Sequence, residues 1–155
     1  MKARTAVFQG NRRFFVQEIP VPEVGADGVL IRVDAAGICG SDLHIYHDVP
    51  PFPVVLGHEV TGTIVAMGEK ANQSMYVYGG PLMVGDRISL YPTVTCGHCR
   101  NCMDYGNGAY SVCETPFGYG DWFEYKLAGD YTRSSGVPAL TGGFSEYMYI
   151  YPGTY

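Results

Sequence analysis

Residues 29–44 read Val-Leu-Ile-Arg-Val-Asp-Ala-Ala-Gly-Ile-Cys-Gly-Ser-Asp-Leu-His, and this stretch joins a strand pattern to a group of polar and metal-binding side chains. In an extended chain Val29, Ile31 and Val33 fall on one face. The intervening positions, two of which are charged, fall on the other face. The alternation predicts a half-buried β-strand that leads directly into a loop carrying chemistry.

Similar apolar runs, bounded by Gly, Pro and Asp, predict the other strands. The predicted set is residues 6–8, 14–19, 29–33, 60–67, 87–90 and 144–150. No long amphipathic helix pattern is present, and 21 Gly and 10 Pro punctuate the chain. The predicted fold class is therefore mainly β, as a partly open β-barrel with a few short helices and a metal-binding loop.

The composition is that of a single soluble domain. A chain of 155 residues with 46% apolar side chains can bury one core but is short for two ordinary domains. Fifteen acidic against ten basic residues give a net charge of −5, which disfavours nucleic acid as a partner. Residues 1–10 lack the apolar core of a secretory signal, and no run approaches the roughly 18 apolar residues of a membrane span. We therefore expect a cytoplasmic protein with no membrane partner.

Three potential metal ligands fall in two short motifs. Cys39 lies in the loop after the predicted strand, and His58 and Glu59 are adjacent in Gly57-His58-Glu59. A thiolate, an imidazole and a carboxylate suit a zinc site of the catalytic type, which uses three protein ligands and leaves a fourth position open. A buried structural thiol would explain Cys39 alone, but its combination with the second motif favours metal binding.

The other four cysteines have the spacing of a closed metal site: Cys96, Cys99, Cys102 and Cys113. Four thiolates complete a tetrahedral zinc site and leave no open position, so a metal here would hold a loop. An odd total of five cysteines suits metal binding in a reducing compartment better than a disulfide framework. A disulfide pair or an iron site are the alternatives that the spacing leaves open.

These motifs occur together in a known family. They are residues 37–42, 57–62 and 84–88, the four-cysteine loop, and the closing run Gly-Gly-Phe-Ser-Glu-Tyr at 142–147. In this order they resemble the zinc-containing medium-chain alcohol dehydrogenases. The resemblance implies one GroES-like catalytic domain over residues 1–155. It also implies that Cys39 and His58 bind a catalytic zinc, with Glu59 as a direct ligand or a nearby carboxylate, and that the four-cysteine loop binds a structural zinc.

The resemblance also suggests a proton relay beside the first motif. Asp42 would accept the second ring N–H of His58 and fix its tautomer. Ser41 would receive the proton of the alcohol, and His44 would release it to water. Simpler interpretations make Ser41 a helix cap and His44 a solvated surface residue. Two further histidines are expected in solvent: His47 and His98.

The family implies oxidation of an alcohol or polyol to a carbonyl, with hydride transfer to NAD or NADP. The chain has no Gly-x-Gly-x-x-Gly run, and its nearest candidates at 106–108 and 118–120 lack the third glycine. We therefore expect no Rossmann domain here, coenzyme use only when a coenzyme-binding domain is supplied, and an inactive isolated chain. The alternative is a zinc-stabilised binding or scaffold module that has lost turnover. Coenzyme binding would distinguish the two.

Three segments exceed the usual lengths of the family, at 69–83, 103–112 and 114–140. Aromatic residues of the last two segments are predicted to line a substrate entrance or cover a sheet edge: Tyr105, Tyr110, Phe117, Tyr119, Trp122, Phe123 and Tyr125. A coenzyme-binding domain would cover apolar surface that is otherwise exposed, and exposed apolar surface favours association. We therefore expect either a homo-oligomer or a missing coenzyme-binding partner.

Overall fold

Short extended segments dominate the chain, as the alternating pattern predicts. A computed structural model describes residues 1–50, 52–75, 77–106, 112–114, 116–118 and 140–151. The strands are β1 (Lys2–Phe8), β2 (Phe14–Pro20), β3 (Val29–Gly37), β4 (Val54–Val55), β5 (Glu59–Met67), β6 (Arg87–Ser89), β7 (Thr93–Val94), β8 (Phe117–Gly118) and β9 (Tyr147–Ile150). The helices are α1 (Gly40–Ile45), α2 (Ala71–Ser74) and α3 (Arg100–Tyr105). The predicted mainly β fold class is confirmed.

The strands form three antiparallel sheets that do not close into a barrel among the described residues. Their orders are β2-β1-β4, β6-β5-β3-β9 and β7-β8. The two larger sheets meet at an isolated bridge between Thr5 and Ser145. Both residues are buried, and their hydroxyl oxygens hydrogen bond at 2.8 Å. This contact joins the two sheets at one corner. The sheets are joined there but are not closed into a barrel among the described residues, in agreement with the partly open fold that the sequence predicts.

The largest apolar cluster lies on the four-stranded sheet. Val29 and Ile31 of β3 are fully buried there and pack with Ile64 of β5 and Met148 of β9. Leu30 is also buried, at 4% exposure, so the predicted division into an apolar and a polar face begins only at Arg32. Both faces of the sheet are therefore covered where β3 begins.

The pairing of β3 with β5 positions the metal-binding residues. The register places Gly37 at the end of β3 opposite Glu59 at the start of β5. The strand β3 runs four residues beyond the predicted end at residue 33, with register irregularities between Leu30 and Ile31 and between Val33 and Ala35. This extension carries the loop that follows β3 to the start of β5.

Candidate metal centres

Cys39 lies between the end of β3 and the start of α1, where it occupies the N-cap position. Its backbone N–H donates to Oδ2 of Asp42 at 2.8 Å, and the Asp42 N–H donates to the Cys39 carbonyl at 3.1 Å. This reciprocal pair satisfies backbone groups at the helix start and fixes the turn that presents the thiol. Ser41 lies inside the first turn, so the interpretation of Ser41 as a helix cap is wrong.

A sharp turn precedes His58 and Glu59. Gly57 has φ +95°, which glycine adopts without the steric cost that a side chain brings. A Cβ at Gly57 would also lie 2.6 Å from the ring of Phe144, so the turn leaves no space for a side chain. The chain enters β5 directly after this turn, and the pairing of β5 with β3 brings His58 and Glu59 next to Cys39.

Cys39, His58 and Glu59 converge into one group, which we call the Cys-His-Glu cluster. One potential ligand atom from each residue lies within 4.8 Å of the others. Cys39 and His58 are half-buried, and Glu59 is exposed. A thiolate, an imidazole and a carboxylate at this separation form a donor set that zinc accepts. The donor set present in the structure therefore fits a zinc ion.

The side chains around His58 differ in part from the prediction. Nε2 of His58 lies 3.4 Å from Oγ of Ser41. Nδ1 lies 3.9 Å from Oδ1 of Asp42, which is close but beyond hydrogen-bond length. The predicted hydrogen bond is thus absent, and the Asp42 carboxylate bonds instead through its other oxygen to the Cys39 N–H. Both Nδ1 and Oδ1 are buried and lack a hydrogen-bond partner among the described residues.

The remaining histidines lie at the surface. His44 is exposed on α1, so its relay role stays a prediction. His47 and His98 are exposed as expected, although each has a local contact. The Arg12 guanidinium lies 3.0 Å from Nδ1 of His47, and Nδ1 of His98 lies 2.7 Å from the Cys96 carbonyl oxygen.

The other four cysteines form a second group, the four-cysteine cluster, at the base of a loop. Val94 in β7 pairs with Phe117 in β8, and this pairing joins the two ends of the loop that contains the four cysteines. Cys99 caps α3, and its sulfur accepts the Cys102 N–H at 3.4 Å. Two more backbone N–H groups donate to sulfur at 3.3 Å each: Cys96 to Cys113 and Cys99 to Cys96. Backbone donors aimed at sulfur suit thiolate ligands.

The four sulfurs lie within 4.8 Å of one another. Burial raises the pKa of the Cys102 thiol to about 12, and the neighbouring cysteine side chains act in the same direction. Four cysteine sulfurs at this separation form a complete tetrahedral donor set, so the cluster could hold a structural zinc. All five cysteines are free, and the disulfide alternative is therefore wrong.

The predicted aromatic lining falls only partly within the described residues. Of the predicted aromatic lining, Tyr105 is exposed in α3, the Phe117 backbone lies in β8, and the other positions lie outside the described residues.

Gly57 and Phe144 were not recognised as site-forming residues. The glycine directly before His58 was the available signal, since a left-handed turn favours glycine.

Comparison with known proteins agrees with this geometry. Residues 25–154 match the family described as the alcohol dehydrogenase GroES-like domain. The chain is 39% identical over 117 residues to the sorbitol dehydrogenase of Bombyx mori, covering 72% of this chain and 30% of that protein. It is 36% identical over 126 residues to the L-threonine 3-dehydrogenase of Escherichia coli O139:H28, covering 77% of this chain and 33% of that protein.

A solved structure shares both fold and sequence. The alcohol dehydrogenase of E. coli CFT073, whose structure contains NADH, has a TM-score of 0.70 and 31% identity, covering 99% of this chain and 38% of that one. The chain belongs to the zinc-containing medium-chain alcohol dehydrogenase family through its GroES-like domain. It spans about a third of the length of these relatives.

The helices of the described residues are all short. None of them is long and apolar enough to cross a membrane.

Proposed function

We propose that this chain is the catalytic domain of a zinc-dependent dehydrogenase that oxidises an alcohol or polyol to a carbonyl, with hydride transfer to NAD or NADP. The convergence of Cys39, His58 and Glu59 beside the Ser41 hydroxyl carries the proposal. Similarity to a sorbitol dehydrogenase supports a polyol, and similarity to an NADH-containing structure supports the coenzyme. The coenzyme-binding domain would belong to the part of the relatives that this chain does not span.

The Cys-His-Glu cluster would hold the catalytic zinc through the Cys39 thiolate, Nε2 of His58 and the Glu59 carboxylate. When bound, zinc supplies a Lewis acid for the alcohol oxygen. The orientation of His58 supports Nε2 as the ligand atom, because Nε2 faces Ser41 while Nδ1 faces Asp42. The Asp42 carboxylate accepts a hydrogen bond from the Cys39 N–H, and its other oxygen lies 3.9 Å from Nδ1 of His58, so one carboxylate lies beside both ligands.

Proton transfer would begin at Ser41. Its hydroxyl lies 3.4 Å from Nε2 of His58, so it is beside the place where the alcohol would bind. A hydroxyl can accept the alcohol proton and donate its own. The proton that Ser41 gives up would pass through water to the exposed imidazole of His44, three residues further along α1, which would release it to solvent.

Metal content tests this proposal first. Protein purified without added metal or chelator should contain two zinc ions per chain by plasma mass spectrometry. Cys39→Ser should lose one zinc, and Cys99→Ser should lose the other. A single zinc that Cys39→Ser leaves in place would contradict a metal at the Cys-His-Glu cluster.

Turnover tests the reaction. Joined to the coenzyme-binding domain of a relative, the chain should reduce NAD or NADP with sorbitol, and Cys39→Ser should abolish this activity. Val16→Ala is a matched control, because Val16 lies in β2 outside both clusters and is 76% exposed. A fused chain that holds two zinc ions and binds coenzyme but does not turn over would favour the binding or scaffold module.

A further inference from the structure

We propose that Gly37 is a positioning residue for Glu59: the absence of a side chain at Gly37 leaves the space in which the Glu59 carboxylate turns toward Cys39 and His58. The proposal rests on the proposed zinc-binding function of the Cys-His-Glu cluster. Gly37 and Glu59 are opposite each other in the β3–β5 ladder. A Cβ at Gly37 would collide with Oε2 of Glu59 and would lie 3.1 Å from its Cβ.

The obstacle to a side chain at Gly37 is the Glu59 side chain, not the backbone. Gly37 is not among the residues with positive φ, so an alanine could adopt its conformation. The nearest atoms to the added Cβ all belong to Glu59. Because Glu59 is exposed, its carboxylate can swing into solvent when the space is filled. The fold should therefore tolerate Gly37→Ala, whereas the cluster should lose its carboxylate.

Other glycines near the site serve different contacts. A Cβ at Gly62 would lie 2.6 Å from the Arg32 carbonyl oxygen, so that glycine permits two backbones to approach. Gly40 directly follows Cys39 in the sequence and begins α1, and a Cβ there would meet no atom within 4 Å. Gly40→Ala is therefore a matched control, since it adds the same methyl group three residues further along the chain without touching Glu59.

The first experiment measures zinc affinity of the Cys-His-Glu cluster by chelator competition while the four-cysteine cluster stays loaded. Loss of supporting contacts at metal sites typically costs about 10- to 100-fold in affinity, and we expect Gly37→Ala to fall in this range. Gly40→Ala should remain within about twofold of the unsubstituted chain. The melting temperature should change little in Gly37→Ala, because the 3.1 Å contact with the Glu59 Cβ needs a shift of only a few tenths of an ångström, and alanine restricts the unfolded chain.

A double-mutant cycle tests whether Gly37 acts through Glu59. In a Glu59→Ala background, Gly37→Ala should cause no further loss of affinity. Cobalt(II) in place of zinc gives an independent readout: its visible bands should change alike in Gly37→Ala and Glu59→Ala, and should not change in Gly40→Ala.

Two results would overturn the inference alone: Gly37→Ala with unaltered affinity and cobalt bands, or its full effect persisting in the Glu59→Ala background. An unsubstituted chain that binds no metal at the Cys-His-Glu cluster would remove the proposed function together with this inference. If Gly37→Ala does not fold, Gly37→Ala with Glu59→Gly must fold, because neither the collision with Oε2 nor the 3.1 Å contact with the Glu59 Cβ then remains. Failure of both variants would contradict the proposal.

Discussion

Nδ1 of His58 lies 3.9 Å from Oδ1 of Asp42, and each atom is buried without a hydrogen-bond partner among the described residues. The other Asp42 oxygen accepts the Cys39 N–H at 2.8 Å. Buried polar atoms of this kind are normally paired, so Oδ1 of Asp42 is the acceptor that lies nearest to a proton on Nδ1. The Asp42 side chain therefore bonds to the thiol loop and lies beside the imidazole.

Replacing Asp42 by asparagine tests this link. The amide oxygen can still accept the Cys39 N–H, which leaves the amide NH₂ facing Nδ1 of His58. The ring must then accept at Nδ1 and carry its proton on Nε2, the nitrogen needed for the metal. We expect Asp42→Asn to lower zinc affinity of the Cys-His-Glu cluster by about 10- to 100-fold in a chelator competition.

The matched control for this substitution is Asp48→Asn, an exposed aspartate just beyond the same helix. It should leave zinc affinity unchanged. Equal affinity of Asp42→Asn and the unsubstituted protein would show that Asp42 does not set the ring tautomer.

Cys99 and Cys39 should differ in their effects on stability. Cys99 caps α3 and belongs to the four-cysteine cluster that closes a loop, whereas Cys39 lies beside an open site. We expect Cys99→Ser to cost about 4–5 kcal/mol, since loss of a metal is among the most damaging changes. For a chain of this size that is about 10 °C or more in Tm.

Thermal unfolding of both variants, with zinc present, gives the comparison. Cys39→Ser should lower Tm clearly less than Cys99→Ser does, because the metal at an open site closes no loop and serine also suits the N-cap position that Cys39 occupies. Similar losses for the two variants would contradict one structural and one functional metal.

The positions of the longer strands could be predicted in part because alternation is a local property, whereas the two-residue strands β4, β7 and β8 are too short to show it and were not predicted. The strands β2, β5 and β6 agree with the predicted ranges to within one residue. The strand β1 begins four residues before the prediction, at Lys2. Its buried residues there, Ala3 and Thr5, are small or polar and do not form an apolar run.

Pairing and fine positioning could not be predicted, because they depend on residues distant in sequence. Residues 144–150 looked like one strand, but β9 begins at Tyr147. Before it, the carbonyl of Phe144 accepts the Ala6 N–H from one sheet, and the carbonyl of Glu146 accepts the Val33 N–H from the other. The metal ligands were recognisable from their chemistry and spacing. Gly37 was not, since its proposed contribution is the space that a missing side chain leaves.

The centre of the four-stranded sheet should be sensitive to cavities. Ile31 is fully buried between Met148 and Ile64 in the main apolar cluster. Ile31→Ala should destabilise the protein by about 2–5 kcal/mol, and Ile31→Val by about 0.5–1.5 kcal/mol. Urea unfolding provides the measurement, and a loss below about 1 kcal/mol for Ile31→Ala would show that this position can collapse around the deletion.

Asp34 should make the stability depend on pH. The hydrogen bond from Thr63, at 2.9 Å, and the Arg87 and Arg32 guanidinium groups hold the pKa of Asp34 below its ordinary value. A lowered folded-state pKa stabilises the folded protein above the unfolded-state pKa. This stabilisation is lost as the pH falls through the folded-state pKa.

Thr63→Val should therefore raise the pKa of Asp34 in a carboxyl NMR titration. The difference in unfolding free energy between Thr63→Val and the unsubstituted protein should shrink on acidification. Thr61→Val, two residues earlier on β5, should leave the pKa of Asp34 unchanged. If Thr63→Val leaves that pKa in place, the arginines alone hold the carboxylate charged.

Among the described residues β2 lies at the edge of its sheet, and we expect this edge to drive the predicted self-association. Hydrogen bonds from Gln9 N–H to the Arg13 carbonyl and from Val21 N–H to the Met1 carbonyl flank the β1–β2 ladder. Because bonded and non-bonded pairs alternate in antiparallel sheets, the backbone groups of Phe14, Val16 and Glu18 point away from β1. The β1–β2 register is regular from Lys2 to Phe8, so no bulge protects this edge.

Two copies of β2 paired antiparallel would satisfy those backbone groups and cover Phe15 and Val16, which are 45% and 76% exposed. Val16→Lys places a charge at the middle of this edge and should shift sedimentation toward monomer. Val65→Lys is the control, since Val65 is also exposed but lies in β5, which is paired on both sides. Association that persists in Val16→Lys and weakens in Val65→Lys would place the contact on the four-stranded sheet instead.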